Sequence, residues 1–166
     1  MHTRLTPLSN ETLETLGKLR RTVPAPTRAT GRLHLGSNGV NRLSVYNVST
    51  WFAWSRQQRQ TLKQLLPDAF INRAINGWFL EFPPEDGFLD RMTQWEGQVT
   101  TGSIVAYSLQ DGQEFWIDDE PHTFDRGEGV AFPLNSVHEV LPSDDGQQWV
   151  CLLTLWTGKE WGSDNT

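Results

Sequence analysis

The stretch FDRGEGVAFPLNSVHEV, residues 124–140, and the apolar run WVCLLTLW, residues 149–156, decide the fold of this chain. Gly127 belongs to a glycine-rich turn, which leads into a short apolar strand. A turn at Pro133 follows, and His138 comes directly after it. The second run shows no polar alternation, which is typical of a strand buried on both faces. These features predict two inner strands with one imidazole presented between them.

Composition favours a single β-rich globular domain. The 166 residues include 20% charged and 11% aromatic residues, with eight Trp and fourteen Gly. The net charge of −6 argues against a nucleic-acid partner, because phosphate binding needs a basic face. The lone Cys151 excludes an intrachain disulfide. No apolar run is long enough to span a membrane, so we expect a soluble cytoplasmic protein without a membrane partner.

The front section, about residues 9–76, combines predicted helices with a small sheet. Helices are predicted at 9–21 and 55–66 with a further helical turn at 68–75, and strands at 32–36 and 42–48. Ser9 and Asn10 suit the start of the first helix, and its cations suit its end. This section would pack against the rest of the single domain.

From residue 78 to about 156 the pattern changes to short strands separated by turns. Strands are predicted at 78–82, 104–109, 114–117, 121–124, 130–132, 138–141 and 149–156. The Asp111-Gly112 dipeptide predicts that strands 104–109 and 114–117 pair as a hairpin. Many short strands with regular turns are typical of a sandwich or a barrel.

The segment 111–142 resembles the second motif of the cupins. Gly127 lies six residues before Pro133, and Pro133 lies five residues before His138. The resemblance implies an α+β fold, namely a double-stranded β-helix (a jelly-roll or cupin-like barrel) with helices packed from the N-terminal part. In such a barrel the imidazole projects into the mouth.

Residues 107–156 also resemble the C-terminal part of the aspartyl/asparaginyl β-hydroxylases, which are Fe(II)- and 2-oxoglutarate-dependent oxygenases. The matching residues are Gly127, Phe132, His138-Glu139-Val140 and Trp156. The resemblance implies a dioxygenase that uses Fe(II) and 2-oxoglutarate. Its substrate would be a small molecule or a polypeptide side chain.

The same resemblance implies metal ligands beside His138. Most such oxygenases use a His-x-Asp motif upstream, and here the chain has Phe88-Leu89-Asp90, which retains only the carboxylate. The segment RLHLG, residues 32–36, resembles the aspartyl hydroxylase motif that supplies the first iron ligand, which makes His34 the second candidate imidazole. The predicted ligands are therefore His138, Asp90 and His34. For His34 to bind, the helical section 51–76 must be an insertion within the barrel.

The keto-acid position departs from the oxygenase pattern. About ten residues after the metal His these enzymes place an Arg, whereas this chain has Gln148 followed by Trp149. An amide still donates a hydrogen bond to a carboxylate but loses the charge-assisted pairing of a guanidinium. Gln148 and Trp149 are the predicted cofactor-binding residues.

A second function from another class remains open. A cupin-like module without metal would bind a ligand or a partner in an aromatic-lined cavity, as a degenerate enzyme. The Phe at position 88 and the absent Arg favour this alternative on chemistry, whereas the His-Glu-Val region and Asp90 favour the oxygenase. His122 is interpreted as an ordinary strand residue.

Overall fold

The computed structural model describes residues 2–33, 42–66, 74–92, 102–133 and 135–154. Its helices are α1 (Asn10–Thr22) and α2 (Arg56–Leu65), and one 3-10 turn covers Trp51–Ala53. The strands are β1 (Thr3–Arg4), β2 (Thr27–Leu33), β3 (Arg42–Thr50), β4 (Ala74–Phe82), β5 (Leu89–Met92), β6 (Ser103–Ser108), β7 (Gln113–Ile117), β8 (Glu120–Phe124), β9 (Gly129–Pro133), β10 (His138–Val140) and β11 (Gln147–Thr154).

The strands form two sheets that face each other. The large sheet has seven strands in the order β1-β9-β6-β11-β4-β3-β2, and the small sheet has four in the order β5-β10-β7-β8. From β4 onward the chain passes back and forth between the sheets, with β4, β6, β9 and β11 in the large one. Every pairing between these strands is antiparallel. This winding is a double-stranded β-helix with helices on one side, so the predicted fold class is confirmed.

The two predicted helices are also confirmed. The Ser9 side chain caps α1 by accepting from the Thr12 N–H, and Ser55 forms a capping box with Gln58 at the start of α2. Among the described residues, neither helix combines the length and the apolar character needed to cross a bilayer. Of the helical turn predicted at 68–75, residues 68–73 lie outside the described residues, and Ala74 already begins β4.

The predicted hairpin between strands 104–109 and 114–117 is wrong. These segments are β6 and β7, but β6 pairs with β9 and β11 in the large sheet, whereas β7 pairs with β8 and β10 in the small one. The turn at Asp111-Gly112 exists, yet it carries the chain from one sheet to the other. All six residues of β6 are buried, because this strand lies in the middle of the large sheet between β9 and β11.

The front strands do not form a separate small sheet. β3 pairs with β4, and β2 pairs with β3, so both extend the large sheet. The true local hairpin joins β7 to β8 through Asp118 and Asp119, whose φ angles are 50° and 66°. Positive φ at both central residues is typical of the two-residue hairpin turn whose backbone twist matches that of the strands. Asp adopts this left-handed conformation more readily than most residues.

The core consists of two apolar clusters, one on each face of the large sheet. The helix-side cluster packs α1 and α2 against outward residues of the sheet, including Phe79, Tyr107 and Val150. The second cluster fills the space between the sheets and draws on every strand from β4 to β11; it comprises Phe82, Leu89, Ile104, Ala106, Phe115, Ile117, Phe124, Val130, Phe132, Val140 and Trp149. We call the space occupied by this second cluster the interior. Along the strands of the large sheet, such as β6, side chains alternate between the two clusters, as strand geometry requires.

Candidate functional site

His138 begins β10 and is held in place by the turn before it. The Ser136 N–H donates to the Pro133 carbonyl at 3.0 Å, which closes the turn after β9. In the small sheet, His138 lies opposite Ile117 of β7 on one side and opposite Met92 of β5 on the other. Its side chain is only 3% exposed. The predicted turn therefore delivers the imidazole to the space between the sheets.

The hydrogen bond of His138 fixes the tautomer of its imidazole. The Nδ1 atom lies 3.1 Å from the Ser136 carbonyl, to which an Nδ1–H donates. That tautomer leaves the lone pair on Nε2, and a backbone carbonyl that orients the second nitrogen is typical of metal-ligating imidazoles. Burial lowers the pKa of His138 to about 4, although the Ser136 hydrogen bond and the Asp118 charge act in the opposite direction. The imidazole is therefore neutral at neutral pH.

Aromatic rings form the surroundings of His138. The ring centroids of Phe115 and Phe132 lie 6.0 Å and 5.2 Å from the imidazole centroid. Phe115 also contacts Trp149, with 5.1 Å between centroids, so it connects His138 to the indole. The apolar contacts explain why desolvation dominates the pKa of His138.

Asp90 lies on β5, the strand that pairs with the strand of His138. Leu89 is opposite Val140 and Met92 is opposite His138. The register therefore shifts by one residue between these two pairs, in the part of β5 that contains Asp90. The Asp90 N–H donates to the Ser44 hydroxyl at 3.0 Å. The structure thus brings the strands of Asp90 and His138 side by side, and the residue directly opposite His138 is Met92.

The remaining predicted ligand, His34, lies outside the described residues; it directly follows β2, the edge strand of the large sheet. Over the described ranges, no three His, Cys, Asp or Glu side chains come together in a group that could hold a metal ion. Of the predicted ligands, His138 is the one whose ring orientation is given by a side-chain hydrogen bond described above.

Gln148 and Trp149 face opposite sides of the large sheet. The Gln148 Oε1 atom accepts a hydrogen bond from Arg20 of α1 at 2.7 Å, and Arg20 also pairs with Glu81 of β4. Gln148 is therefore part of the junction between helix and sheet. Trp149 faces the interior and is 1% exposed. Of the two predicted cofactor-binding residues, only Trp149 shares a cluster with the rings around His138.

His122 of β8 contacts the N-terminal segment. Its ring centroid is 4.3 Å from that of His2 in an edge-on arrangement. Burial lowers the pKa of His122, and the nearby His2 lowers it further. This arrangement agrees with the interpretation of His122 as a strand residue at the edge of the small sheet.

Sequence reasoning missed the residues that support His138. Asp118 contacts the segment before the imidazole, and Phe115 packs between the imidazole and Trp149. The alternation in EFWI is a signal that could place Phe115 on the buried face of its strand, but only the pairing of β7 with β10 brings it to His138. The sequence around Asp118 predicts a turn, but it does not indicate the contact of Asp118 with the segment before His138.

No protein-family model matches the chain, and no curated protein matches its sequence. Solved structures do match its fold. A prolyl hydroxylase from Trichoplax adhaerens, in complex with a hypoxia inducible factor oxygen degradation domain peptide fragment, matches with a TM-score of 0.64 and 13% identity over 93% of this chain and 83% of that one. A 2OG-Fe(II) oxygenase family oxidoreductase from Burkholderia pseudomallei matches with a TM-score of 0.61 and 10% identity over 93% and 85%.

A prolyl-4-hydroxylase from Pseudomonas putida is similar as well, with a TM-score of 0.56 and 16% identity over 93% of this chain and 92% of that chain. These similarities extend over nearly the whole chain rather than only the C-terminal part. At such identities they establish the fold, the double-stranded β-helix, and the chemistry has to be argued from the site itself.

Proposed function

We propose that this chain is a non-haem Fe(II)-dependent oxygenase that uses a 2-oxo acid as its co-substrate and hydroxylates a small molecule or a polypeptide side chain. 2-Oxoglutarate is the co-substrate that the sequence resemblance implies. Iron would be held by His138, Asp90 and His34, two imidazoles and one carboxylate. Iron held there would supply the chemistry that couples decarboxylation of the 2-oxo acid to hydroxylation, with one atom of dioxygen going to the product alcohol and the other to the shortened acid.

The observation that carries this proposal is the state of His138. Its imidazole is buried and neutral, and its Nδ1–H is bonded to the Ser136 carbonyl, so Nε2 is available to a metal ion. Neutral imidazole is a ligand for iron, whereas a protonated one is not. The Ser136 carbonyl and the neutral ring therefore support His138 as one of the iron ligands.

In this proposal, other residues of the chain exclude water from the imidazole, orient its ring and supply a carboxylate. Phe115 and Phe132 pack against the imidazole and exclude water from its faces. The Ser136 carbonyl fixes the orientation of the ring. Asp90 lies on the adjoining strand, where its carboxylate would complete the charge balance of the metal. The fold similarity to solved oxygenases supports the same assignment.

Decarboxylation of a 2-oxo acid tests this function. With Fe(II), dioxygen and 2-oxoglutarate or a related 2-oxo acid labelled at C1, we expect slow release of labelled CO2 even without substrate. His138→Ala should abolish the release, whereas His122→Ala, which removes the partly buried imidazole of β8, should retain it. Release that is independent of iron, or that survives in His138→Ala, would contradict the proposal.

A second candidate function is favoured by a specific observation. The interior is filled by aromatic side chains, and Phe88 stands where the oxygenase pattern has its first His. A module without metal would use these rings to bind a planar ligand. It would show ligand binding that does not respond to Fe(II), whereas the oxygenase requires iron for co-substrate binding.

A further inference from the structure

The charged residues of this chain are distributed unevenly along its sequence. Residues 15–67 contain nine Lys or Arg residues and no Asp or Glu, so all twenty acidic residues lie outside this range. The nine cations are Lys18, Arg20, Arg21, Arg28, Arg32, Arg42, Arg56, Arg59 and Lys63. The net charge of −6 argues against a nucleic-acid partner for the chain as a whole, but this average conceals a strongly basic segment.

Three of these cations are exposed on the helices and are not used in ion pairs. Lys18 and Arg21 lie in the C-terminal half of α1, and Arg56 is the first residue of α2. Within the described part of the chain, no carboxylate lies within ion-pair distance of these three side chains, whereas Arg20 and Arg28 each pair with one. The helix layer therefore presents positive charge that the fold itself does not neutralise.

These cations lie beside a groove between the two helices. The groove has a volume of about 350 Å³, and its polar lining includes Thr15, Lys18 and Thr22 of α1 and Ser55, Gln57 and Thr61 at the start of and along α2. A hydrogen bond from the Gln58 Nε2 atom to the Thr22 carbonyl, at 3.0 Å, joins the end of α1 to the first turn of α2.

The contact of Gln58 with Thr22 brings two further cations to one end of the groove. Arg21 is the neighbour of Thr22, and Arg56 is the neighbour of Ser55. Over the described ranges, none of the residues that line the groove is acidic. We call the groove together with Lys18, Arg21 and Arg56 the basic groove.

An exposed aromatic ring lies at the same end of α2. Phe52 belongs to the 3-10 turn Trp51–Ala53, three residues before the helix cap Ser55, and it is 70% exposed. The apolar face of α2 does not extend this exposed area, since Leu62 is buried in the helix-side cluster. A membrane surface requires a broad apolar face. A single ring beside cations suits the stacking of an unpaired base instead.

We propose that the basic groove binds single-stranded nucleic acid, with the phosphate backbone against Lys18, Arg21 and Arg56 and an unpaired base stacked on Phe52. The charges are complementary, because each nucleotide carries one negative charge and the lining of the groove is free of acids that would repel it. Gln57 adds a neutral amide donor of the kind that contacts phosphate oxygens. A single strand is favoured over a duplex because only unpaired bases are free to stack on an aromatic side chain.

The basic groove is separate from the candidate iron site. The helices pack on one face of the large sheet, whereas His138 contacts Phe115 of the interior, on the other face. A strand held between the helices therefore does not reach the imidazole. The basic groove would hold the chain on a nucleic acid without presenting a base to the proposed iron, so this binding goes beyond the proposed function and does not depend on it.

Fluorescence anisotropy of a labelled oligothymidylate, titrated with the chain at low salt, tests this surface. We expect binding that weakens as salt is raised. The slope of log affinity against log salt should be about −2, because each of three cations displaces about 0.7 of a counterion from a single strand. Arg56→Gln should weaken binding by about 3-fold or more and make the slope shallower by about 0.7.

The matched control is Arg126→Gln, which removes the same charge from another exposed side chain. Arg126 precedes Gly127, which approaches Leu13 in the first half of α1, so it lies away from the end of that helix that carries Arg21. Its affinity and slope should match those of the wild type. Equal losses in Arg56→Gln and Arg126→Gln would overturn the assignment to the groove.

Two strands test the role of the aromatic ring. Phe52→Ala should weaken binding of the oligothymidylate by about 5-fold or more, because stacking of a base is lost. The same variant should bind an abasic strand of equal length as the wild type does, since that strand has no base to stack. Unchanged binding of the oligothymidylate by Phe52→Ala would contradict the stacking.

Other polyanions decide the class of partner. A labelled polyglutamate peptide and vesicles of phosphatidylserine and phosphatidylcholine in equal parts should both bind more weakly than the oligothymidylate. Equal or tighter binding of either would overturn the proposal in favour of an acidic polypeptide or a membrane surface. Absence of strand binding at ~100 µM protein and low salt would overturn it outright. These comparisons use the wild-type chain alone, so they hold even where a variant fails to fold.

Discussion

Asp118 and Val137 are joined by two hydrogen bonds that hold the segment before His138 against the β7–β8 turn. The Asp118 N–H donates to the Val137 carbonyl at 2.7 Å, and the Asp118 Oδ1 atom accepts from the Val137 N–H at 3.2 Å. Asp118 also has a φ of 50°, which few residues other than Gly, Asn and Asp adopt readily. One residue therefore shapes the hairpin and positions the strand that carries the imidazole.

Asp118→Ala should lower the free energy of unfolding by about 1–2 kcal/mol, because it removes one hydrogen bond and strains the backbone. Asp118→Asn keeps the acceptor and the backbone preference, so it should remain close to wild type. Denaturant unfolding measures the difference. Exchange of the Val137 amide hydrogen should become faster in Asp118→Ala alone, and equal exchange in both variants would contradict the role of the carboxylate oxygen.

Two glycine substitutions should change stability in opposite directions. A Cβ at Gly129 would lie 2.5 Å from Tyr107 Cδ1 and 2.7 Å from the Ala106 carbonyl, so Gly129→Ala should destabilise by about 1–3 kcal/mol. A Cβ at Gly17 of α1 meets no heavy atom closer than 3.7 Å, and Gly17→Ala should stabilise by up to about 1 kcal/mol. Thermal unfolding of both variants measures these shifts. A stable Gly129→Ala would show that β6 and β9 do not approach as described.

The ion pair between Arg20 and Glu81 should contribute more than an exposed pair. Arg20 is half-buried and also donates to Gln148, so it fastens α1 to β4 and β11. Arg20→Met should lower the free energy of unfolding by about 1–3 kcal/mol, because Glu81 is left without its cation. The control pair, Arg28 with Asp86, has side chains that are 55% and 61% exposed, and Arg28→Met should cost less than about 1 kcal/mol. Equal losses would contradict the docking role of Arg20.

The stability of the metal-free chain should fall on acidification. The pKa of His138 is about 4 in the folded chain and 6.5 at its ordinary value. Above both values the imidazole is neutral in both states and contributes no pH dependence. As the pH falls from 6.5 toward 4, only the unfolded chain binds the proton, so up to about 3 kcal/mol of stability is lost. Unfolding with chelator present should show this loss in wild type, and His138→Gln should lack it. Identical pH slopes would contradict the burial of the imidazole.

Local patterns in the sequence predict the elements of this fold better than their partners. Ser9 and Ser55 specify both helix starts because caps act within one turn of chain. The Gly-rich turn, the Pro133 turn and His138 likewise form a local unit. The pairing of β6 with β9 and β11, rather than with β7, could not be predicted, because a turn signal such as Asp111-Gly112 serves a hairpin and a crossing between sheets equally well.

The candidate site shows the same difference between features set by one segment and features set by the pairing of distant segments. The buried position of His138 could be predicted from its own segment, whereas Asp90 as a ligand stays a prediction from the resemblance. The register of β11 decides which side of the sheet Gln148 and Trp149 face, and a shift of one residue would exchange their sides. The contact of Phe115 with both His138 and Trp149 depends on the packing of the two sheets, which no single segment encodes.

Equilibrium binding of Fe(II) in the absence of dioxygen tests the central claim most directly. The account predicts that the chain binds one Fe(II) per molecule and that His138→Ala, folded as judged by circular dichroism, loses this binding while His122→Ala retains it. A chain that takes up no iron at tens of micromolar Fe(II), or a His138→Ala variant that binds as tightly as wild type, would contradict it.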